Sequence, residues 1–277
     1  MSKPNKSISV CGCGWLGMPL AKQLVSSGFK VIGTKRSASD AEALNQYGIH
    51  GIQFDLMTFD RSPPNTAIFD ADTLVLNIPP GRRTIDKASF VTGMKAVIDE
   101  AKSQGVGQVI FISTTSVYGS AKGVIDESTL CTPDTESGMA HVELEQHVIK
   151  QFADQGVVLR LSGLVGGERH PARYLAGRKD IANGNDPVNL IHRDDCINAI
   201  QAIIEQNLTG GVYHLSAQEH PTRAAFYQWA AAEMGMEPPT FLDSDGTGKC
   251  IDAEATQSAL SLMLKYPSPY DMPLPSV

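Results

Sequence analysis

Cysteine is scarce in this chain: five among 277 residues, with Cys11 and Cys13 one residue apart and Cys131, Cys196 and Cys250 scattered. An odd, unpatterned set is no disulfide framework and suits a reducing, cytoplasmic setting. Cys11-x-Cys13 has no second ligand pair at matching spacing, so small buried thiols are read there and no metal is expected. Positive charge is also short, since 23 Lys and Arg against 30 Asp and Glu leave a net charge of -7. That argues against a nucleic-acid or anionic-membrane binder, which needs a positive field. No apolar run approaches the ~20 residues of a membrane span. The opening "MSKPNKSISV" carries no apolar segment ahead of a cleavage site, so no secretory signal is expected. Internal repeats and low-complexity blocks are missing too.

What remains is an ordinary globular composition, 42% hydrophobic and 19% charged. The length suits one large domain with a small appendage. "SISV" (Ser7 to Val10) reads as a strand, as do "FKVIGT", "ADTLVLNI", "VGQVIFIS", "VVLRLSG" and "GVYHLS". Helical patterns fall between them. One runs from the glycine turn to about Ser27. A second, "FVTGMKAVIDEAKSQG", puts Phe90, Met94, Val97, Ile98 and Ala101 on one face. A third, "MAHVELEQHVIKQFADQG", puts Val142, Leu144, His147, Val148 and Phe152 on its apolar side. Strands alternating with helices predict an α/β fold with a doubly wound parallel sheet. Near Ser216 the pattern changes to the helical "TRAAFYQWAAAEMG" and a proline-rich tail expected on the surface. The reading is a dinucleotide-binding Rossmann domain over 1–215, with a substrate loop at 166–187, and a small C-terminal cap over 216–277.

"VCGCGWLGMPLAKQL" (Val10 to Leu24) sets Gly12, Gly14 and Gly17 between a strand and a helix, with Trp15 and Leu16 in the turn. A G-x-G-x-x-G run gains meaning in that setting. Gly12 permits the tight turn, Gly14 lets backbone N–H groups approach a pyrophosphate, and Gly17 lets helix and strand pack closely. The helix N-terminus favours the anion. Cofactor choice is expected at the end of the second strand, where a carboxylate would accept from a ribose 2′-hydroxyl. Thr34, Lys35 and Arg36 stand there instead, a hydroxyl and two cations suited to a 2′-phosphate. NADP is favoured, with NAD as the alternative.

By "STTSVYG" (Ser113 to Gly119) the chain resembles the extended and atypical short-chain dehydrogenase/reductases. "LRLSGLVGG" looks like that family's sixth-strand exit, and "NLIHRDDCINAI" like its Ile-His-x-x-Asp segment. "GCGWLG" and "NIPPGRR" resemble the branch called NAD-dependent epimerase/dehydratase-like, and the resemblance covers nearly the whole chain. It implies an adenine-side contact at Asp55 and Leu56, and cofactor contacts at Asn77, Ile78, Pro79 and Ser113. It also implies a homodimer formed through the helices beginning near Phe90 and Met139.

The central motif departs from the family. The pattern there is Pro-x-x-x-Tyr-x-x-x-Lys, with a Glu eight residues after the Tyr. In "PDTESGMAHVELE", Pro133 and Glu145 fit, while Ser137 stands at the Tyr position and His141 at the Lys position. The family's Tyr is acid/base for a carbinol–carbonyl pair, and its Lys lowers the Tyr pKa and binds the nicotinamide ribose. A serine hydroxyl titrates far too high to replace a phenol. His141 is read as a ribose ligand, as a proton carrier, or as a polar residue on a partly exposed helix face. Thr114 falls where a carbonyl oxygen is oriented, and Tyr118 is either a substitute acid or a structural phenol.

Arg82 and Arg83 follow "NIPPG", and "GGERHPARYLAGRK" adds Arg169, His170, Arg173, Arg178 and Lys179. This clustering reads as a site for an anionic substrate or as a solvated loop; Arg82, Arg83 and Arg173 are taken as the substrate contacts. Glu143 and His147 stand at helical i,i+4 spacing, which surface pairing explains better than a metal. Two function classes follow. One is an NAD(P)-dependent oxidoreductase or epimerase/dehydratase-like enzyme on a small anionic or sugar-derived substrate. The other is a non-catalytic NADP-binding redox sensor that reports to a partner.

Overall fold

The computed structural model describes residues 6–59, 65–80, 86–208, 210–243 and 245–275. The chain runs β1 (Ser7–Cys11), α1 (Gly17–Ser26), β2 (Lys30–Lys35), α2 (Ala38–Glu42), β3 (Ile49–Gln53), β4 (Thr73–Leu76) and α3 (Lys87–Ser103). It continues through β5 (Gln108–Thr114), β6 (Gly123–Ile125), α4 (Glu136–Phe152), β7 (Gly156–Leu161), β8 (Gly163–Val165) and α5 (Ala172–Leu175). Last come β9 (Leu190–His192), α6 (Arg193–Gln206), β10 (Gly211–Leu215), α7 (Arg223–Glu233), β11 (Lys249–Ile251) and α8 (Glu254–Ala259).

Seven strands form one parallel sheet in the order β10-β7-β5-β4-β1-β2-β3, the doubly wound α/β fold that the sequence pattern implies. β1 is flanked by β2, with Val10 opposite Gly33, and by β4, with Cys11 opposite Leu76. From β1 the chain steps outward through α1 to β2. From β4 it steps the other way through α3 to β5. Right-handed crossovers therefore put α1 and α3 on opposite faces. The strand order reverses between β1 and β4, which opens a crevice beyond their C-terminal ends.

α3 buries Phe90, Met94, Val97, Ile98 and Ala101, the face read from the sequence. These pack with Leu144, Val148 and Phe152 of α4 and with Leu74, Leu76, Val109 and Phe111 of the sheet. Between the two helices, Lys95 Nζ lies 2.5 Å from Glu143 Oε1, and His147 Nε2 lies 2.7 Å from Asp99 Oδ1. His147 is thus a half-buried partner of Asp99 rather than an apolar-face residue. Each fully buried large apolar side chain contributes about 1.5–3 kcal/mol, whereas an exposed ion pair contributes about 0.2–1 kcal/mol. Apolar burial holds the pair together, and the charged contacts set its register.

The chain divides into two compact units, 1–113 with 135–159 and 200–212, and 114–134 with 160–199 and 213–277. The second unit therefore recruits two connections that leave the C-terminal ends of β5 and β7, where the sequence reading placed its boundary at 215/216. Both connections are far longer than the two to six residues of a simple strand–helix turn. In that second unit Val165, Val188, Leu190, Ala217, Phe226 and Met272 form a core. The proline-rich tail is anchored there. Asp195, fully buried, accepts from the Lys265 and Tyr266 N–H groups at 2.7 and 3.2 Å, and Met272 is buried. Among the described residues no helix is long and apolar enough to cross a membrane.

Five of the seven histidines are held below the ordinary imidazole range, chiefly by burial: His141, His170, His192, His214 and His220, with His170 down to about 4. The unfolded chain takes up these protons near ~6.5 while the folded chain resists them, so stability falls as pH drops below ~6.5. Each such histidine weakens the fold by at most about 1.4 kcal/mol per pH unit in that window. Urea midpoints should hold steady above pH ~7 and fall steeply from ~6.5 towards ~5. A midpoint that does not move over that range contradicts the assignment.

Candidate functional site

Three glycines at the end of β1 have three different surroundings. Gly12 takes a φ of +105°, and a Cβ there would lie 2.6 Å from the Asn77 carbonyl oxygen. A Cβ on Gly17 would overlap the Gly12 oxygen, whereas one on Gly14 would meet nothing within 4 Å. Two glycines are therefore needed for close backbone packing, and the third faces open space. α1 starts here without a side-chain cap and with no acidic residue in its first turn. Helix N-terminal N–H groups and the helix dipole attract an anion. A pyrophosphate fits the loop on that ground, and a Cβ at Gly14 would fill the cradle. Trp15 is half-buried and Leu16 buried beside it.

The neighbouring strands hold the loop. Gly12 N–H donates to Thr34 Oγ1 at 2.8 Å, and Asn77 Nδ2 donates to the Gly12 carbonyl at 3.1 Å. Thr34 is buried, with its hydroxyl committed behind the loop. It braces the glycine turn instead of facing a 2′-phosphate, which corrects the expected role. Lys35 is half-buried and Arg36 exposed, and among the described residues neither makes an ion pair. Asp55 Oδ1 accepts from Met57 N–H at 3.0 Å at the exit of β3. Leu56 is buried in the core under α3 and α4, so its side chain is a packing group. Ile78 lies against Gly12, and Pro79 is exposed.

Ser113 at the end of β5 is buried and donates to Glu145 Oε1, itself buried, at 2.5 Å. One turn before Glu145, His141 is also buried, with its ring 5.9 Å from that of Phe111. Its Nδ1–H donates to the Ser137 carbonyl at 2.8 Å, so Nε2 is the acceptor nitrogen of the neutral ring. Burial pushes its pKa down, the Ser137 carbonyl and Glu145 oppose this, and Lys87 adds to it. The exposed-face reading of His141 is thereby set aside. What the arrangement offers is a neutral imidazole with one lone pair.

In the second unit, Thr114 Oγ1 donates to Ser116 Oγ at 3.0 Å and caps the turn that follows β5. Tyr118 is fully buried. Its hydroxyl lies 2.5 Å from His214 Nε2 and 2.5 Å from the Arg160 Nη1 that donates to it. His214 Nδ1–H donates to the Asp252 carbonyl at 2.8 Å, so the phenol O–H points into Nε2. Tyr118 is a structural phenol and not a substitute acid, because no substrate reaches a buried hydroxyl held from both sides. Arg173 is exposed, 3.4 Å from Glu168. Arg82 and Arg83 lie outside the described residues.

Sequence reasoning missed a cavity of about 700 Å³ in this unit, lined among others by Lys122, Asp134, Asp186, Arg223, Asp243 and Lys249. Lys249 Nζ donates to the Gly119 carbonyl at 2.6 Å, and burial lowers its pKa. "DSDGTGK" gave the one signal in the sequence, a charged glycine-containing stretch inside the region read as a cap. Among the described residues no cluster of His, Cys, Asp and Glu is arranged to hold a metal ion.

A doubly wound parallel sheet with an open glycine loop at its switch point defines a Rossmann-type α/β protein. The model of the NAD dependent epimerase/dehydratase family matches residues 8–216, and the chain belongs to that family. It is 36% identical over 273 residues to Protein YeeZ of Escherichia coli (strain K12), covering 97% of this chain and 99% of that one. Two solved structures share the fold. UDP-glucuronic acid 4-epimerase from Bacillus cereus, in complex with NAD, has a TM-score of 0.74, 20% identity and 94% coverage of both chains. The Bordetella bronchiseptica enzyme WbmH, in complex with NAD+, has a TM-score of 0.75, 16% identity, and 95% and 94% coverage.

Tyr118→Phe tests the structural role of the phenol. It removes the hydroxyl that Arg160 Nη1 and His214 Nε2 both meet, at a cost of about 1–3 kcal/mol. The melting temperature should drop, while ligand binding at the glycine loop stays as in the parent. An unchanged melting temperature contradicts the buried network.

Proposed function

We propose that the chain binds a nicotinamide dinucleotide, NADP in preference to NAD. We read it as an oxidoreductase or epimerase/dehydratase-like enzyme acting on a small sugar-derived or anionic substrate. The observation that carries this reading is the glycine loop, open at Gly14, beside two cations at the exit of β2 that have no ion-pair partner among the described residues. The Gly12–Gly17 turn would hold the pyrophosphate, Lys35 and Arg36 the 2′-phosphate, and Asp55 the adenine side. The NAD complexes of the structural relatives support the cofactor class. When bound, the nicotinamide supplies a hydride donor or acceptor for a carbinol–carbonyl pair.

The chain's own contribution to the chemistry is a neutral acceptor and a hydroxyl. His141 Nε2 takes a proton from, or accepts a hydrogen bond from, a hydroxyl presented to it. Thr114, half-buried, would hold a carbonyl oxygen only by turning its O–H away from Ser116 Oγ. With Ser137 where the family has Tyr, and Tyr118 in the core, no phenol serves as the acid. A missing acid lowers the rate by about 10²–10⁴, so turnover is slow or limited to a substrate that needs little acid assistance. The polar cavity in the second unit offers donors and acceptors of both signs, which suits the hydroxyl groups of a sugar. We further read the protein as a cytoplasmic homodimer that pairs through α3 and α4, the second of which exposes Met139 and Ile149.

Titration of NADPH and NADH by nucleotide fluorescence, followed by NADPH oxidation with a panel of carbonyl compounds and nucleotide sugars, tests this reading. NADPH should bind more tightly, and Arg36→Ala should remove about 1.5–3 kcal/mol of that preference. Equal affinities overturn the NADP assignment. Tight binding with no turnover on any panel member would favour the redox-sensor reading, to which the absence of a phenol at position 137 already lends weight.

A further inference from the structure

One glycine in the second unit brings two opposite charges together. Gly119 takes a φ of +48°, and a Cβ there would overlap the Thr132 carbonyl oxygen and lie 3.0 Å from Asp134 Cγ. Glycine is what lets the segment ending at Asp134 pack so closely. Lys249 Nζ reaches the same residue, donating to the Gly119 carbonyl at 2.6 Å. The strand that carries Lys249 is itself pinned. Asn189 Nδ2 donates to the Lys249 carbonyl at 2.8 Å, and Asn189 Oδ1 accepts from the Ile251 N–H at 2.8 Å. The ammonium and the carboxylate thus both lie against Gly119, and both residues line the cavity of about 700 Å³.

The two charges do not neutralise each other. Among the described residues neither Lys249 nor Asp134 makes an ion pair, and the Asp134 carboxylate accepts no hydrogen bond. Lys249 is half-buried and Asp134 exposed. An ammonium has three N–H donors, of which the Gly119 carbonyl takes one. The other half-buried charges of the lining are committed to its walls. Asp186 Oδ1 accepts from the Gly248 N–H at 3.0 Å, and Arg223 Nη1 donates to the Ala182 carbonyl at 3.2 Å.

The cavity has the size of a small-molecule site, about 300–1,000 Å³, and the two signs select the ligand. A phosphate or carboxylate drawn to Lys249 is repelled by Asp134, and an amine drawn to Asp134 is repelled by Lys249. A hydroxyl accepts from the one and donates to the other without adding charge. We propose that Lys249 and Asp134 are the recognition pair of this cavity and bind adjacent hydroxyls of a neutral sugar ring. The inference rests on the sugar-derived reading of the substrate and narrows it to the hydroxyl-bearing part.

Saturation-transfer NMR on the full-length protein tests it, with D-glucose, D-galactose and D-mannose as probes of the parent, Lys249→Met and Asp134→Ala. At least one sugar should bind the parent, and each variant should weaken that binding about tenfold or more. The Asp134 side chain has no hydrogen bond to lose among the described residues, so Asp134→Ala should melt as the parent does and report recognition alone. NADPH affinity should match the parent in both variants, because the glycine loop belongs to the other unit. Failure of all three sugars to bind the parent overturns the proposal, as does parent-like sugar binding in either folded variant. Inorganic phosphate that displaces the sugar, with an affinity lost in Lys249→Met and kept in Asp134→Ala, marks an anion site and overturns it too. If both variants lose the sugar while NADPH is never oxidised, the recognition pair stands, and the enzyme reading is what fails.

Discussion

Everything at the candidate site depends on how Gly12 is gripped. Its N–H is held by Thr34 from β2, its carbonyl by Asn77 from the exit of β4, and Gly17 lies directly against that carbonyl. Three segments far apart in sequence thus meet on one residue at the point where the strand order reverses. Side chains are excluded at Gly12 and Gly17 by backbone atoms, which do not move aside. The first turn of α1 is thereby fixed in place, without a side-chain cap, beside the opening left at Gly14. The anion cradle is the consequence of a packing constraint.

Charge completes the picture. A chain of net charge -7 repels anions at long range, so an anionic cofactor must be gathered by local groups. Among the described residues Lys35 and Arg36 have no competing carboxylate partners, and the α1 N-terminus carries no acid of its own. Around His141 the balance is different. Burial favours the neutral ring against the pull of the Ser137 carbonyl and Glu145, and the Nδ1–H bond to Ser137 leaves Nε2 as its one acceptor. On the proposed reading that is a weaker tool than an activated phenol, and it would narrow the chemistry the protein can assist.

Much of this was legible in the sequence. The face of α3 from Phe90 to Ala101 follows from helical periodicity, because each side chain packs on the same strip of sheet. The roles of Gly12 and Gly17 follow from spacing, since loop geometry is local. Thr34 and Tyr118 were not legible. A hydroxyl at a strand end reads as a ligand contact until Gly12 is seen to occupy it. Tyr118 reads as a candidate acid until Arg160 and His214, 42 and 96 residues away, close over it. The second unit was hidden for a related reason. Its segments leave the ends of β5 and β7 and meet the C-terminal region only in space, and short strands such as β6 and β11 carry too little periodicity to announce a pairing.

The central claim is that the space at Gly14 belongs to a dinucleotide pyrophosphate. Calorimetric titration of NADPH into Gly14→Ala measures it, with thermal unfolding of the same variant as the control for folding. The added methyl meets no protein atom within 4 Å, so the melting temperature should match the parent. Binding should weaken at least about tenfold, ~1.4 kcal/mol, because the methyl enters the space the phosphates need. Parent-like NADPH affinity in a folded Gly14→Ala protein would contradict the account.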